Sequence, residues 1–379
     1  MLKKVLNTIY RTCLYLSGAC FICFIGCWIA GYVAEFRFLP VWGTILLVIG
    51  LSSVPSLKGY RFTVCILAAV TTAMIYPNYF SEIGGVNLKS PQLILFVVQL
   101  VMFGMGTQMS INDFIGVVKM PKAVIIGIAC QYTIMPLVGY AIAKTIGFPP
   151  EIAAGIILIG SCSSGLASNV MVYLAGANLA LSVTLVALAQ LLAPVVTPLW
   201  MKILAGEFVQ IVFFQMMMDI IYMVILPIFA ALLYNKLRKD RLKLLHSFMP
   251  VFSMSGIIYF TAITTAAGRD NLLQVGTMLV LAAIIHNSAG YFLGYWGGRL
   301  FGLDKKSCRT IAIEVGLQNG GMASGLAGRM GKLATVGLAA AIFSPWMNIS
   351  GSVLANFWRK RPVVNQKTAT PSAEVGQTG

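Results

Sequence analysis

Apolar stretches of about 20 residues recur along nearly the whole chain, each long enough to cross a hydrocarbon core of about 30 Å as an α-helix. A chain in lipid must satisfy its own backbone N–H and C=O groups, which leaves bundles of helices or a closed β-barrel. A barrel would show segments of roughly ten residues with alternating hydrophobicity, and the sequence contains none. Composition agrees: only 10% of residues are charged, against about 25% in soluble domains, and the mean hydropathy is +0.86. The expected class is an all-α polytopic membrane protein.

Hydropathy and helix breaks place twelve candidate spans near 12–34, 40–57, 61–80, 91–110, 121–146, 151–175, 179–203, 207–235, 248–268, 271–300, 307–329 and 333–358. The 40–57 stretch is the weakest, because Ser52, Ser53, Pro55 and Ser56 shorten its apolar run; a re-entrant or interfacial hairpin is the alternative there. Lys3, Lys4 and Arg11 resemble the basic start of a signal peptide, but no small-residue cleavage site follows, so a retained span is expected. The tail over 359–379 reads as disordered.

With the N-terminus inside, Lys and Arg crowd the inner loops, as at Lys119, Lys122, Lys236, Lys305 and Lys306. The outer loops hold only Arg37, Lys89, Lys144, Lys202, Arg269, Arg329 and Lys332. This bias predicts an even number of spans and cytoplasmic termini. It also accounts for the net charge of +16, so the basic balance is no sign of nucleic-acid binding, which needs a basic face on a soluble domain. The eight cysteines lie in or next to spans and read as small apolar residues. No Cys or His grouping suits zinc; the two histidines are His246 in a basic loop and His286 in a span.

Polar residues interrupt two of the apolar stretches. Glu314, Gln318 and Asn319 stand among Gly316, Gly320 and Gly321, and Ser161, Ser163, Ser164, Ser168 and Asn169 follow Gly160. Ionisable or helix-breaking residues at membrane depth are tolerated where they line a polar cavity. The two interruptions lie about 155 residues apart, each preceded by a polar span position (Gln131; His286 and Asn287) and a turn (Gly147 to Pro150; Gly302 to Asp304). Five spans separate equivalent points, so the second copy would run inverted relative to the first. Side-chain oxygens of Gln131, Ser168, Asn169, Ser182, Glu314, Gln318 and Asn319, with half-helix ends beside them, suit a hard cation: sodium first, protons second. His286 reads as a packing histidine. Asp219, inside an apolar span, reads as a paired structural carboxylate or as a residue bordering a crevice.

The chain from about 61 to 358 resembles the bile acid:sodium symporter family, its bacterial members above all. The resemblance rests on Ala167-Ser168-Asn169-Val170-Met171 with Ala180-Leu181-Ser182-Val183, on Glu314-Val315-Gly316-Leu317-Gln318-Asn319, on Trp346-Met347-Asn348-Ile349-Ser350-Gly351-Ser352, and on Gln131-Tyr132 before Met135-Pro136. It implies a ten-span inverted-repeat transporter fold with two crossed broken helices, to which residues 1–60 add an extra N-terminal hydrophobic hairpin. It further implies a panel (61–110 and 207–268) and a core (121–203 and 271–358) with a substrate crevice between them, and two sodium sites. The first sodium site would fall on Ser168, Asn169, Ser182 and Glu314, the second on Gln131, Glu314, Val315, Leu317 and Gln318. Asn319 would face the organic substrate, with Asn348, Leu166 and Asp219 as further substrate-side positions. The chain departs from the pattern at Val186, where a threonine ligand is usual, at Ser163 and Leu166, where Pro and Thr are usual, and at Met347, where a histidine is usual.

The function these readings imply is sodium-coupled symport of an organic anion, bile acid-like or a small carboxylate such as a pantoate-like acid, by alternating access and without enzymatic chemistry. The expected setting is the bacterial inner membrane, with the protein a monomer or homodimer. Two alternatives stand beside it: a metalloid oxyanion exporter of related fold working through Cys162 and Glu314, and a membrane sterol sensor that does not transport.

Overall fold

A computed structural model describes residues 2–54, 60–237 and 242–363. The helices are α1 (Leu2–Ile29), α2 (Phe38–Gly50), α3 (Arg61–Ile75), α4 (Pro91–Thr107), α5 (Gly116–Lys119), α6 (Pro121–Ile146), α7 (Pro150–Ser161), α8 (Leu166–Leu174), α9 (Leu179–Trp200), α10 (Phe213–Ile220), α11 (Leu226–Leu237), α12 (Leu242–Ala267), α13 (Arg269–Leu300), α14 (Lys305–Gly316), α15 (Gly320–Arg329) and α16 (Val336–Arg359). The only strands among the described residues form a two-residue hairpin, Glu82–Ile83 with Val86–Asn87. The expected all-α membrane class holds.

The span list needs correction in detail. Among the described residues six helices are long and apolar enough to cross a membrane unbroken, and Pro91–Thr107 with Ile111–Lys119 forms a bent pair that would make a seventh. The two interruptions expected within 151–175 and 307–329 are present, each stretch being two helices, α7 with α8 and α14 with α15. The first helix starts at Leu2 and ends at Ile29 rather than covering 12–34. The second stops at Gly50, followed by a 3₁₀ turn over Leu51–Ser53, and residues 55–59 lie outside the described residues, as does most of the 359–379 tail.

Start and stop signals in the sequence explain the helix ends. Pro121 and Pro150 open α6 and α7 at the first turn, where a missing N–H costs nothing. Asp304 caps α14 by accepting from the N–H groups of Lys306 and Ser307 and from the Ser307 hydroxyl. Burial opposes its charge, yet those bonds hold its carboxyl below the ordinary value. Gly147 ends α6 at φ 74° and Gly302 ends α13 at φ 70°, left-handed positions that favour glycine. These two are 302 − 147 = 155 residues apart, and Gly176 and Gly331, which follow α8 and α15, are 331 − 176 = 155 apart as well.

Two helix groups result. The helices α3, α4, α11 and α12 pack on one another, while α6, α7, α9, α13, α14 and α16 form the other set. α15 touches both, lying on α16 and also on α4, α10 and α12. Along α4 and α15 the contacts run antiparallel: Ile94 meets Gly328, Val98 meets Gly325, and Met102 meets Gly321 and Asn319. α1 and α2 form an antiparallel hairpin, with Gly43 against Cys20 and Phe21, Gly50 against Leu14, and the Ser17 hydroxyl donating to the Gly43 carbonyl at 2.7 Å.

Small residues set the helix spacing in the larger group, as lipid-embedded packing without a hydrophobic drive requires. A Cβ at Gly155 would sit 2.3 Å from the Val336 carbonyl oxygen of α16, a backbone atom with nowhere to go. Gly155→Ala is therefore expected to cost about 1–3 kcal/mol. Gly18→Ala, where a Cβ meets nothing within 4 Å, should leave stability unchanged or slightly raised; thermal unfolding of the two variants in detergent checks the contrast.

Candidate functional site

The site is built where the two broken helices meet. α7 ends at Ser161 and α8 begins at Leu166; α14 ends at Gly316 and α15 begins at Gly320. The intervening residues run extended past one another: Ser164 and Gln318 form an antiparallel bridge, and the Asn319 N–H donates to the Ser163 carbonyl at 2.8 Å. Each break thus satisfies part of the other's backbone.

Side chains meet other freed carbonyls, most of them from neighbouring helices. Thr197 donates to Ser161 O at 2.7 Å, Gln131 to Cys162 O at 3.2 Å and Gln190 to Ser164 O at 3.0 Å. On the other arm, Gln318 donates to Val315 O at 2.7 Å and Asn287 to Gly316 O at 2.8 Å. Asn287 is itself held by Ser350, whose hydroxyl donates to Asn287 Oδ1 at 2.6 Å. Thr197, Gln190 and Asn287 were not singled out as site residues from sequence. An amide or hydroxyl in the middle of an apolar helix was the available signal, but its target is a carbonyl 26 or more residues away.

Two clusters flank this crossing. In the first, the Glu314 carboxylate accepts from Ser168 at 3.0 Å and from the Ser182 hydroxyl, while Ser182 also lies 2.7 Å from Asn169 Oδ1. Glu314 is 2% exposed. None of the ion pairs among the described residues includes it. In the second cluster, Gln131 Nε2 donates to Gln318 Oε1 at 3.0 Å, and Gln131 Oε1 is buried with no partner among the described residues. An orphaned buried acceptor costs about 1–3 kcal/mol, and a cation beside it relieves that cost.

Other expected residues sit further out. Asn319 caps α15 by accepting from the Met322 N–H at 3.0 Å, and its amide nitrogen lies 4.0 Å from Met102 Sδ of α4. Asn348 donates to Ser344 O of its own helix at 2.8 Å. Met347 is buried on the same turn, and Val186 is buried one turn after Ser182 on α9. Leu166 is the first residue of α8. His286 bonds Met135 O through Nε2 at 2.9 Å and packs edge-on to Phe343, within the helix packing. Asp219 lies apart from the crossing, ion-paired with Arg329 at 2.8 Å. Among the described residues no group of three or more His, Cys, Asp and Glu could hold a metal ion.

A cavity of about 500 Å³ opens beyond the crossing, bounded by Thr107 at the end of α4, Asn112 and Asp113 after it, Val183 on α9, and Asn235 and Lys236 on α11. From Met102, which faces Asn319, to Thr107 is five residues of α4, or about 7.5 Å of helix rise. The cavity therefore reaches to within about a turn and a half of the site.

Comparison with known proteins gives the family of the chain. The Sodium Bile acid symporter family model matches residues 94–275. An uncharacterized sodium-dependent transporter of Bacillus subtilis is 38% identical over 305 residues, covering 80% of this chain and 92% of that protein. A probable chloroplastic sodium/metabolite cotransporter of Arabidopsis thaliana is 32% identical over 274 residues, 72% of this chain and 68% of its own length. The human ileal sodium/bile acid cotransporter is 28% identical over 263 residues, 68% of this chain and 73% of that protein. With its motifs in order and such a relative matched over nearly its full length, the chain belongs to the sodium bile acid symporter family.

Proposed function

We propose that the protein is a sodium-coupled symporter of an organic anion and that it works by alternating access. One observation carries the reading: Glu314 is a buried carboxylate at membrane depth whose partners are serine hydroxyls and not a Lys or Arg. Such a charge calls for a cation from solution. Hydroxyl, amide and backbone oxygens suit sodium rather than a transition metal, and the Bacillus subtilis and human ileal relatives both have sodium in their names.

Two ion positions follow from the two clusters. Ser168, Asn169, Ser182 and Glu314 hold the first; Gln131, Gln318 and Glu314, with the carbonyls of Val315 and Leu317, hold the second. Glu314 serves both. Binding of cations there stiffens the crossed breaks, and Asn319, one residue beyond Gln318, is set by the same break to meet the substrate's headgroup. Ion and substrate affinities are thereby coupled through one short backbone segment. The matched 155-residue spacings of Gly147 with Gly302 and of Gly176 with Gly331 support an inverted repeat within a ten-span unit. On this reading α3, α4 and α10 to α12 form the panel, the α6–α9 and α13–α16 elements the core, and α1 with α2 an added hairpin outside it, with both termini on the cytoplasmic side of a bacterial inner membrane.

Two outcomes are expected in proteoliposomes. Uptake of the transported carboxylate should require an inward sodium gradient, a proton gradient alone should not replace it, and Glu314→Ala should reduce uptake to background; full uptake by that variant without sodium would overturn the assignment. Val186→Thr adds a hydroxyl one turn after Ser182, worth about 1 kcal/mol if it reaches the ion, so the sodium concentration for half-maximal uptake should fall roughly five-fold. An unchanged value would place residue 186 outside the ion shell.

A further inference from the structure

Asp219 and Arg329 meet where α10 lies against α15, beside an open cavity of about 180 Å³. This is the end of the molecule away from the larger cavity. Ile94, which packs on Gly328 next to Arg329, and Thr107 at the larger cavity are thirteen residues apart on α4, or about 20 Å.

Three features bear on what the smaller cavity takes. The cation is the reachable partner of the pair: the Arg329 side chain is 34% exposed and that of Asp219 only 11%. Arg329 Nε and Nη2 both point to a single oxygen, Asp219 Oδ1, at 2.9 and 2.8 Å. That guanidinium edge can hold two carboxylate oxygens in parallel, a stronger arrangement, and here it is engaged by one. The polar lining also supplies the amides of Gln210 and Gln215, and Lys332, whose ammonium is ion-paired with Glu151. Glu151 itself is not part of that lining.

We propose that this cavity is a binding site for a carboxylate ligand, in which Arg329 exchanges the single Asp219 oxygen for both oxygens of the ligand. Asp219 is then an internal stand-in. It keeps the guanidinium satisfied while the cavity is empty of ligand, and it sets a threshold that a neutral molecule does not pass, because only a carboxylate repays the broken ion pair. Among the described residues it is also the one ion pair joining α10 to α15, so capture of ligand releases the charged contact between α15 and the helix group that must part from it. The site rests on the symport reading for its purpose and names the substrate's carboxylate as what is recognised.

The test uses the full-length protein in detergent and the probe benzoate, with benzamide as its neutral counterpart, read by thermal unfolding. Wild type should be stabilised by benzoate and not by benzamide. Asp219→Asn frees the guanidinium and should lower the benzoate concentration for half-maximal stabilisation about ten-fold. Arg329→Gln should abolish the response, as should the double variant D219N/R329Q, which leaves no buried charge alone and guards against misfolding of the single one. Equal response to benzamide, no tightening in D219N, or a benzoate response retained in the double variant would each overturn the site. Binding is read here without flux or a sodium gradient, so failure of this site and failure of sodium coupling are separate results.

Discussion

The structure depends on a backbone that is unwound where water cannot reach it. Two helices stop in the middle of the bundle, and each stop frees carbonyl and N–H groups that lipid cannot satisfy. The bridge between Ser164 and Gln318 and the bond from Asn319 to Ser163 answer part of that need, with the breaks serving each other. Gln131, Gln190, Thr197 and Asn287 answer much of the rest from the flanking helices. Once the breaks are held in this way, Glu314 at the end of α14 is placed beside Ser168 on α8 and Ser182 on α9. The carboxylate and its hydroxyls therefore come together because the backbone has to.

The same constraint explains the distribution of glycine and alanine around the site. α15 is short and rich in glycine, and Gly321, Gly325 and Gly328 present almost no side chain to α4. Such a face allows close approach but little interlocking. Its polar fastenings are concentrated at the ends, at Asn319 by the crossing and at Arg329 by Asp219. By contrast, Gly155 and Gly160 in α7 sit against the backbones of α16 and α6, where side chains would collide with carbonyl oxygens. One set of helices is locked together at backbone distance, while the contact made by α15 to α4 is built of glycine against Ile94, Val98 and Met102 side chains.

Much of this was legible before any coordinates. The membrane class follows from hydropathy, and both helix interruptions are marked by glycines and polar residues at a fixed separation. The carboxylate at 314 stands out because it is costly in its setting. What escaped sequence reading were the residues that only hold the site in place. Gln190 and Thr197 lie in a helix otherwise rich in Leu, Ala and Val, and Asn287 lies beside the more conspicuous His286; nothing local tells a residue that satisfies a distant carbonyl from one that glues two helices. The twelve candidate spans exceed the six unbroken membrane-length helices among the described residues partly because 40–57 and 61–80 form shorter helices, Phe38–Ser53 and Arg61–Ile75, whose ends windowed hydropathy does not fix.

By itself the sequence determined that the chain is helical and lies in a membrane, where its helices are interrupted, and that a carboxylate stands within one of those interruptions beside glycines and amides. Those are properties of composition and local pattern, since burial in lipid and the cost of breaking a helix act on each segment separately. Only the tertiary structure decided which oxygens converge on Glu314, that Gln131 is left with an unpaired acceptor, that Asn348 turns back to its own helix, and that Asp219 meets Arg329 rather than the crossing. Apart from the local bond of Asn348, those outcomes depend on which helices lie side by side across 100 to 200 residues of chain, a matter settled by close packing of small residues and by the demand that every freed backbone group find a partner.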